Sequence, residues 1–480
     1  MQKVYFRADA SASIGYGHFI RTLALADMLK DDFDCTFFTC HPTSYQVSEM
    51  EKVCPFIILQ EEVHFDEFLS YLQGNEIVVL DNYFFTTEYQ YIIKACGCKL
   101  ICIDDMHDKH YVADVVINHG ITNKRLFSVE SYTQLCLGYN WALLRLPFLQ
   151  PSRLQQVNAY TETVVVCFGG ADKNNLTERF VSFLQKESRI KRIIAIVGDR
   201  HPCEVLGVQP RVTYLRNLSA TEVSDVFRQS TVAFLSTSTV CLEALSQQLP
   251  VAAGYYVDNQ KEVYTEYVDN NLIYPLGNLL KLDIDNLDYH FILDKVKSLY
   301  TINCSFIALR YKRMFQHLFI PVNLHRNGLN FVDYRLLDEI HHLFIWKARN
   351  ADVIRSQMVY KEPITWQSHL NFVKSLSIQY KKIYMAVYRG GLLVGSVNIE
   401  YNSVVQVERG LFILPKFWGS GDATLIDNTL CEYLREQQVV SVTAKVFKSN
   451  TRSLYFHQKL GYKQVLNDNE CNYLIKYLNE

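Results

Sequence analysis

The sequence predicts an α/β chain: two open, parallel α/β units followed by a smaller α+β unit. Strand-length apolar runs alternate with helix-length patterns twice over, the signature of parallel sheets. Linker-like stretches separate the series, and in the last third strands come in adjoining runs before one strong helix. A length of 480 residues also exceeds one ordinary domain.

In the first unit, residues 1–155, strands are expected at 4–7, 35–39, 76–80, 100–103 and 115–117, and "LQPSRLQQVNAYTE" then interrupts them. The second unit, residues 156–325, has expected strands at 163–168, 192–197, 212–215, 232–236 and 251–253, and closes on the amphipathic "SFIALRYKRMFQHLF". "IPVNLHRNGLN" reads as a linker into the third unit, residues 326–480. There "FVDYR" is a strand and "LLDEIHHLFIWKARN" a helix. "IYMAVYRGGLLVGSVNIEY" and "VVQVERGLFIL" are adjoining strands ahead of the helix in "WGSGDATLIDNTLCEYL".

An apolar fraction of 49%, a charged fraction of 20% and a net charge of −2 describe a globular protein without the broad basic face a nucleic-acid partner needs. No run approaches the roughly 20 apolar residues of a membrane span, and "MQKVYFRADAS" lacks the apolar core of a leader. The thirteen cysteines sit mostly in apolar runs, and Cys96 and Cys98 form only a C-x-C pair. Reduced thiols of a cytoplasmic protein are expected, in a monomer or small homo-oligomer that binds neither nucleic acid nor membrane.

Open parallel sheets bind ligands where strands pass into helices. Gly15 and Gly17 allow a tight turn after the first strand, and His18 stands at the mouth of the next helix, whose positive end favours a neutral imidazole. "FGGADKNNLT" brings Gly169 and Gly170 to a second such loop. "FLSTSTVCLEALSQQLP" sets Ser238 and Thr239, the expected helix cap, where a diphosphate could bind, with Glu243 one turn on as a candidate ribose contact. "YYVDNQ" adds Asn259 and Gln260. "IDDMHDKH" has metal-ligand residue types without fixed ligand spacing, so no metal is expected.

"FRADASASIGYGHFIRTLALADML", "LDNYFF", "CIDDMHDKHYVADVVIN", "LGYNWALLR", "CFGGADKNNLT" and "YYVDNQ" occur in that order. Together they resemble the UDP-sugar hydrolases of pseudaminic acid synthesis, relatives of the GT-B glycosyltransferases, over roughly residues 1–320. The resemblance implies two Rossmann-like domains in a GT-B-like arrangement. It also implies hydrolysis of UDP-2,4-diacetamido-2,4,6-trideoxy-β-L-altropyranose to UDP and free sugar. His18 would be the catalytic histidine, Tyr83 and Asn259 further active-site positions, and Asp9 and Arg21 would flank the glycine turn. The family's glycine-rich loop before its Glu is replaced here by "LSTSTVCLE".

In the third unit, "PKFWGSG" leads a strand into a helix through Gly419 and Gly421, and "KVFKSNTRSLYFHQKLGYK" adds a strand, an Asn-started helix and Leu-Gly-Tyr. These resemble the acetyl-CoA site of GNAT N-acetyltransferases. The resemblance implies cofactor contacts from Leu411, Ile413, Gly419, Gly421, Asp422 and Asn450. Tyr455 or His457 would protonate the CoA thiolate, and Glu408 would serve as base towards the amine. Lys416 stands where that family carries Gln or Arg. The expected activity is therefore N4-acetylation of UDP-4-amino-4,6-dideoxy-N-acetyl-β-L-altrosamine followed by UDP release. A GT-B glycosyltransferase with an acetylating appendage, or a nucleotide-sugar-binding protein without turnover, would use the same residues.

Overall fold

A computed structural model describes residues 1–9, 16–150, 162–169, 172, 174–198, 201 and 210–479. The chain divides into two compact units, Met1–Tyr311 and Lys312–Glu480. The second thus begins ahead of the expected boundary at 325/326.

The first unit holds two parallel sheets. One runs in the order Phe56–Leu59, Asp34–Cys40, Lys3–Ala8, Ile77–Asp81, Lys99–Ile103, Val115–Asn118, Gln134–Leu137. The other runs Val212–Arg216, Ile190–Val197, Glu162–Cys167, Val232–Ser236, Val251–Tyr255, Tyr274–Asn278. In each, the chain starts in the middle, winds outward one way and then returns to the other side of its first strand. The two loops at that reversal open a crevice at the carboxyl ends of the strands. The central strands are buried, Ile77–Asp81 throughout and Glu162–Cys167 at all but Thr163, as the apolar runs in "IVVLD" and "ETVVVC" require.

Every strand expected in these sheets is present. Those overlooked, Phe56–Leu59, Gln134–Leu137 and Tyr274–Asn278, are edge strands. Tyr274–Asn278 contains Pro275 and Gly277, residues that argue against a strand except at an edge.

The second unit is one sheet in the order Asn323–Arg326, Leu329–Asp333, Lys382–Arg389, Leu392–Tyr401, Gln406–Ile413, Ser441–Phe447, Cys471–Tyr477, Lys463–Asn467. All pairings are antiparallel except Gln406–Ile413 with Ser441–Phe447, whose crossover is the helix Asp422–Glu436. The stretch expected to be a linker is instead a hairpin. Asn327 and Gly328 both have positive φ, 54° and 74°, and close a two-residue turn between Asn323–Arg326 and Leu329–Asp333. Asp338 caps the next helix, Glu339–Asn350, by accepting from the His341 N–H at 2.8 Å.

Candidate functional site

In the first sheet the reversal lies between Lys3–Ala8 and Ile77–Asp81. Gly15 falls outside the described residues, and Gly17 opens the helix Gly17–Leu29 with open space at its Cβ position. His18 and Arg21, one turn apart on this helix, are both buried and face Asp81 at the end of the neighbouring strand. His18 Nδ1 lies 2.6 Å from Asp81 Oδ1. Arg21 donates Nε to Oδ2 and Nη2 to Oδ1, each at 2.6 Å, and Thr22 Oγ1 donates to Oδ2 at 2.8 Å.

Burial alone would raise the Asp81 pKa, but Arg21 and His18 overcome it and hold the carboxyl down at about 2. An ionised acceptor at 2.6 Å requires a proton on His18 Nδ1. With Nδ1 so engaged, Nε2 is the ring nitrogen left to meet a ligand. An imidazole oriented by a buried carboxylate is the relation found in serine-hydrolase triads.

Tyr83 packs edge-on against His18, with ring centroids 4.5 Å apart. Its hydroxyl donates to Asp105 Oδ2 at 3.3 Å and accepts from Asn259 Nδ2 at 3.3 Å. Burial and the adjacent Asp105 push the phenol up to about 12. Asn259 and Gln260 lie in the first turn of Asp258–Asp269, the helix following the second sheet's strand Val251–Tyr255. His18, Arg21, Tyr83 and Asn259, chosen from sequence, are thus one contact network. Gln260 turns inward, accepting from the Tyr256 N–H at 3.2 Å.

Asp9 is occupied elsewhere. Arg7, fully buried, forks onto its two oxygens at 2.5 and 2.8 Å, and Thr39 Oγ1 and the Cys40 N–H add to Oδ1. The carboxylate ties strand ends together and leaves little capacity for a ligand.

At the second sheet's reversal, Gly169 has φ +90°, a conformation that favours glycine, while Gly170 lies outside the described residues. Ser238, not Thr239, is the N-cap of Thr239–Ser246, and its side chain makes no capping bond. Both hydroxyl residues stand partly exposed at that helix start. Glu243 is 3% exposed, and Arg145 clamps its carboxylate with Nε and Nη2 at 2.8 and 3.0 Å. A ribose contact there would have to share the carboxylate with Arg145, which no sequence motif marks.

The "IDDMHDKH" side chains have other work. Asp104 accepts from the N–H groups of Met106 and His107, and His107 pairs with Glu262 at 3.2 Å. Among the described residues no group of three or more His, Cys, Asp or Glu could hold a metal. His119 was also missed. It accepts from the Leu143 N–H through Nδ1 at 3.3 Å, and burial and the Arg21 charge lower its pKa to about 4.

In the second unit, Gln406–Ile413 and Ser441–Phe447 pair only through Gln406–Ser441, Val407–Val442 and Glu408–Thr443. Beyond that point the two strands part, and Leu411 and Ile413, paired with Val397 and Gly395 on the other side, lie on the stretch left unpaired towards Ser441–Phe447. Gly419 and Gly421 have φ +82° and +87° with open space at the Cβ position, so the turn into Asp422–Glu436 can receive a ligand against bare backbone. The Arg452 guanidinium lies over the Trp418 ring at 4.4 Å, tying this turn to the later helix.

Asp422 and Asn450 support the turn and helix themselves. Asp422 is buried, 2.6 Å from Arg389, and accepts from Ser420 at 2.5 Å; Asn450 caps Thr451–Lys459 by accepting from the Ser453 N–H. Glu408 is exposed at the parting point, opposite Glu400 on the neighbouring strand.

His457 is removed as a proton donor. It is 4% exposed; Nδ1 donates to the Ser453 carbonyl at 2.7 Å and Nε2 accepts from Arg409 at 3.2 Å. Burial and Arg409 lower its pKa to about 4. It belongs to a buried network in which Arg409 pairs with Asp427 at 2.6 Å and donates to Tyr462 at 3.1 Å. Tyr455 has an exposed ring free for such a role.

Residues 334–463 match the family described as acetyltransferase (GNAT) domain. Along its whole length the chain is similar to an uncharacterized protein of Methanocaldococcus jannaschii, 21% identical over 98% of this chain and 99% of that one. It is 26% identical to the UDP-2,4-diacetamido-2,4,6-trideoxy-β-L-altropyranose hydrolase of Campylobacter jejuni, over 55% of this chain and 95% of the relative. It is 27% identical to the acetyltransferase PseH of the same organism over 25% of this chain and 74% of the relative. The crystal structure of PseH with acetyl coenzyme A aligns at 21% identity and a TM-score of 0.26, covering 31% of this chain and 98% of that one. The chain thus carries a GNAT acetyltransferase domain in its C-terminal part and is a homologue of a UDP-sugar hydrolase as well as of an acetyltransferase.

Proposed function

We propose that the chain carries out two consecutive steps of CMP-pseudaminic acid synthesis in the cytoplasm. The GNAT domain transfers the acetyl group of acetyl-CoA to the 4-amine of UDP-4-amino-4,6-dideoxy-N-acetyl-β-L-altrosamine. The first unit, two Rossmann-like sheets in a GT-B-like arrangement, then hydrolyses UDP-2,4-diacetamido-2,4,6-trideoxy-β-L-altropyranose to UDP and sugar. The observation that carries the hydrolytic reading is His18 held by Asp81 at 2.6 Å, where the first sheet reverses.

In this reading His18 Nε2 takes a proton from water as its oxygen attacks the anomeric carbon. The bond to the diphosphate breaks, and UDP leaves with the electron pair. Charge developing on the diphosphate is met by the helix start at Ser238 and Thr239, whose N–H groups need no reorganisation. The ionised Asp81, accepting from Nδ1–H, keeps the imidazole in the tautomer that can act as base.

For acetylation, the parted strands offer an unpaired backbone edge to the pantetheine arm, and the Gly419–Gly421 turn offers N–H groups to the pyrophosphate. In this reading Glu408, exposed where the strands part, takes the amine's proton as the nitrogen attacks the thioester carbonyl, and CoA leaves as the thiolate, which Tyr455 protonates. Supplying acetyl-CoA and the 4-amino UDP-sugar should yield the diacetamido species, then free UDP, identified by mass spectrometry. Absence of either product overturns the corresponding half.

A further inference from the structure

Among the described residues, Asp105 has one oxygen with no partner. It follows the strand Lys99–Ile103 and lines the recess shared by His18, Arg21, Asp81 and Tyr83. Its Oδ2 accepts from Arg21 Nη1 at 2.9 Å and from the Tyr83 hydroxyl at 3.3 Å. Its Oδ1 is buried and has no hydrogen-bond partner among the described residues. A buried carboxylate oxygen left unsatisfied is costly, so such an atom on a residue that lines the recess points to a donor that arrives with the ligand.

Arg21 is already fixed by two bonds to Asp81, so its orientation does not depend on Asp105. Asp105 is instead placed by Arg21 and Tyr83 with its second oxygen turned elsewhere. Resting on the hydrolytic reading above, we infer that Asp105 is a substrate-binding residue of that site, whose Oδ1 accepts a hydrogen bond from an N–H or O–H of the sugar. Being acceptor-only, it selects a donor at that point of the ring. In the hydrolytic reading the diphosphate meets the helix start at Ser238 and Thr239, so the contact is assigned to the sugar and not to UDP.

Asp105→Asn tests this in the full chain. Arg21 and Tyr83 both donate towards Oδ2, so the carboxamide oxygen takes that place. The amide N–H₂ then faces the sugar donor. We expect kcat/KM for UDP release from the diacetamido UDP-sugar to fall at least about a hundredfold, while the calorimetric Kd for UDP stays within twofold. Asp105→Ser, which leaves space beside Arg21, carries the same expectation if the first variant misfolds. In a Tyr83→Phe background, Asp105→Asn should still lower kcat/KM. Full non-additivity would make Asp105 only a support for Tyr83 and overturn the inference, as would unchanged kinetics or a parallel loss of UDP binding. A wild-type chain that releases no UDP overturns the hydrolytic reading itself, and this inference with it.

Discussion

Asp81 is the common acceptor of His18 and Arg21: His18 Nδ1 and Arg21 Nη2 both lie 2.6 Å from its Oδ1. The arrangement fixes which imidazole nitrogen is free. His18→Ala should abolish UDP release and leave acetyl transfer intact. Asp81→Asn keeps the shape but can present an N–H to Nδ1, favouring the wrong tautomer. UDP release should fall by about 10²–10⁴-fold, read in a coupled UDP assay beside an unchanged acetylation rate. Loss of both activities in His18→Ala would mean that the two reactions do not have separate sites.

The same carboxylate should make the first unit acid-labile. The Asp81 pKa is held at about 2, below its ordinary value of 3.8. A depressed carboxylate contributes stability that is full above the unfolded pKa and is lost as pH falls through the folded one. The window therefore runs from about pH 4 down to pH 2, and the loss is about 2 kcal/mol. Urea titrations across that range should show it, and Asp81→Asn should flatten the dependence.

Arg145 and Glu243 form a clamp that is expensive to break from one side. Arg145→Leu leaves Glu243 buried without its partner and should cost about 3–5 kcal/mol. Replacing both with leucine removes the stranded charge and should recover much of that loss. The measurement is a double-mutant cycle by chemical denaturation. A single variant as stable as the double would mean that Glu243 finds water or another donor.

Much of this was legible in the sequence because the central strands are continuous apolar runs, which burial on both faces demands. Edge strands carry no such signature. Tyr274–Asn278 holds a proline and a glycine, and its strand character comes from pairing with Val251–Tyr255. The hairpin at Asn327–Gly328 has its signal in the Asn-Gly turn, although the polar residues around it also suit a linker. At the site, His18, Tyr83 and Asn259 could be picked out by motif. Asp81, Arg145 and Arg409 could not, since their importance lies in partners 60, 98 and 18 residues away. His457 illustrates the converse. Its sequence position suggests chemistry, whereas its ring nitrogens are consumed by Ser453 and Arg409.

Buried neutral histidines should make the second unit sensitive to mild acid. Burial lowers His457 and His369 to about 4 and His317 to about 3, from an ordinary 6.5. For these groups the unfolded chain binds protons first, so stability is full above about pH 6.5 and declines as pH falls towards 4. Native-state hydrogen exchange of the sheet Asn323–Tyr477 between pH 7 and pH 5 should show accelerating opening. His369→Phe, which removes one of the three, should reduce the slope. A slope unchanged by that substitution would mean that His369 does not contribute to it.

Glu408 carries the sharpest prediction for the acetyltransferase. It is the last residue of its strand paired across the parallel ladder, opposite Thr443, before the two strands separate. Its exposed side chain is available to an incoming amine, unlike the neighbouring Glu400, which Lys382 engages at 3.2 Å. An amine that enters protonated must lose a proton before it attacks the thioester, and general-base assistance supplies about 10²–10⁴-fold. Glu408→Gln keeps size and hydrogen bonding but removes the base. Its kcat for acetylation should fall into that range at neutral pH and recover as pH rises towards the amine's own pKa. The wild-type rate should be less pH-dependent over the same interval. Equal pH profiles in the two proteins would assign the proton to solvent and leave Glu408 as a binding contact.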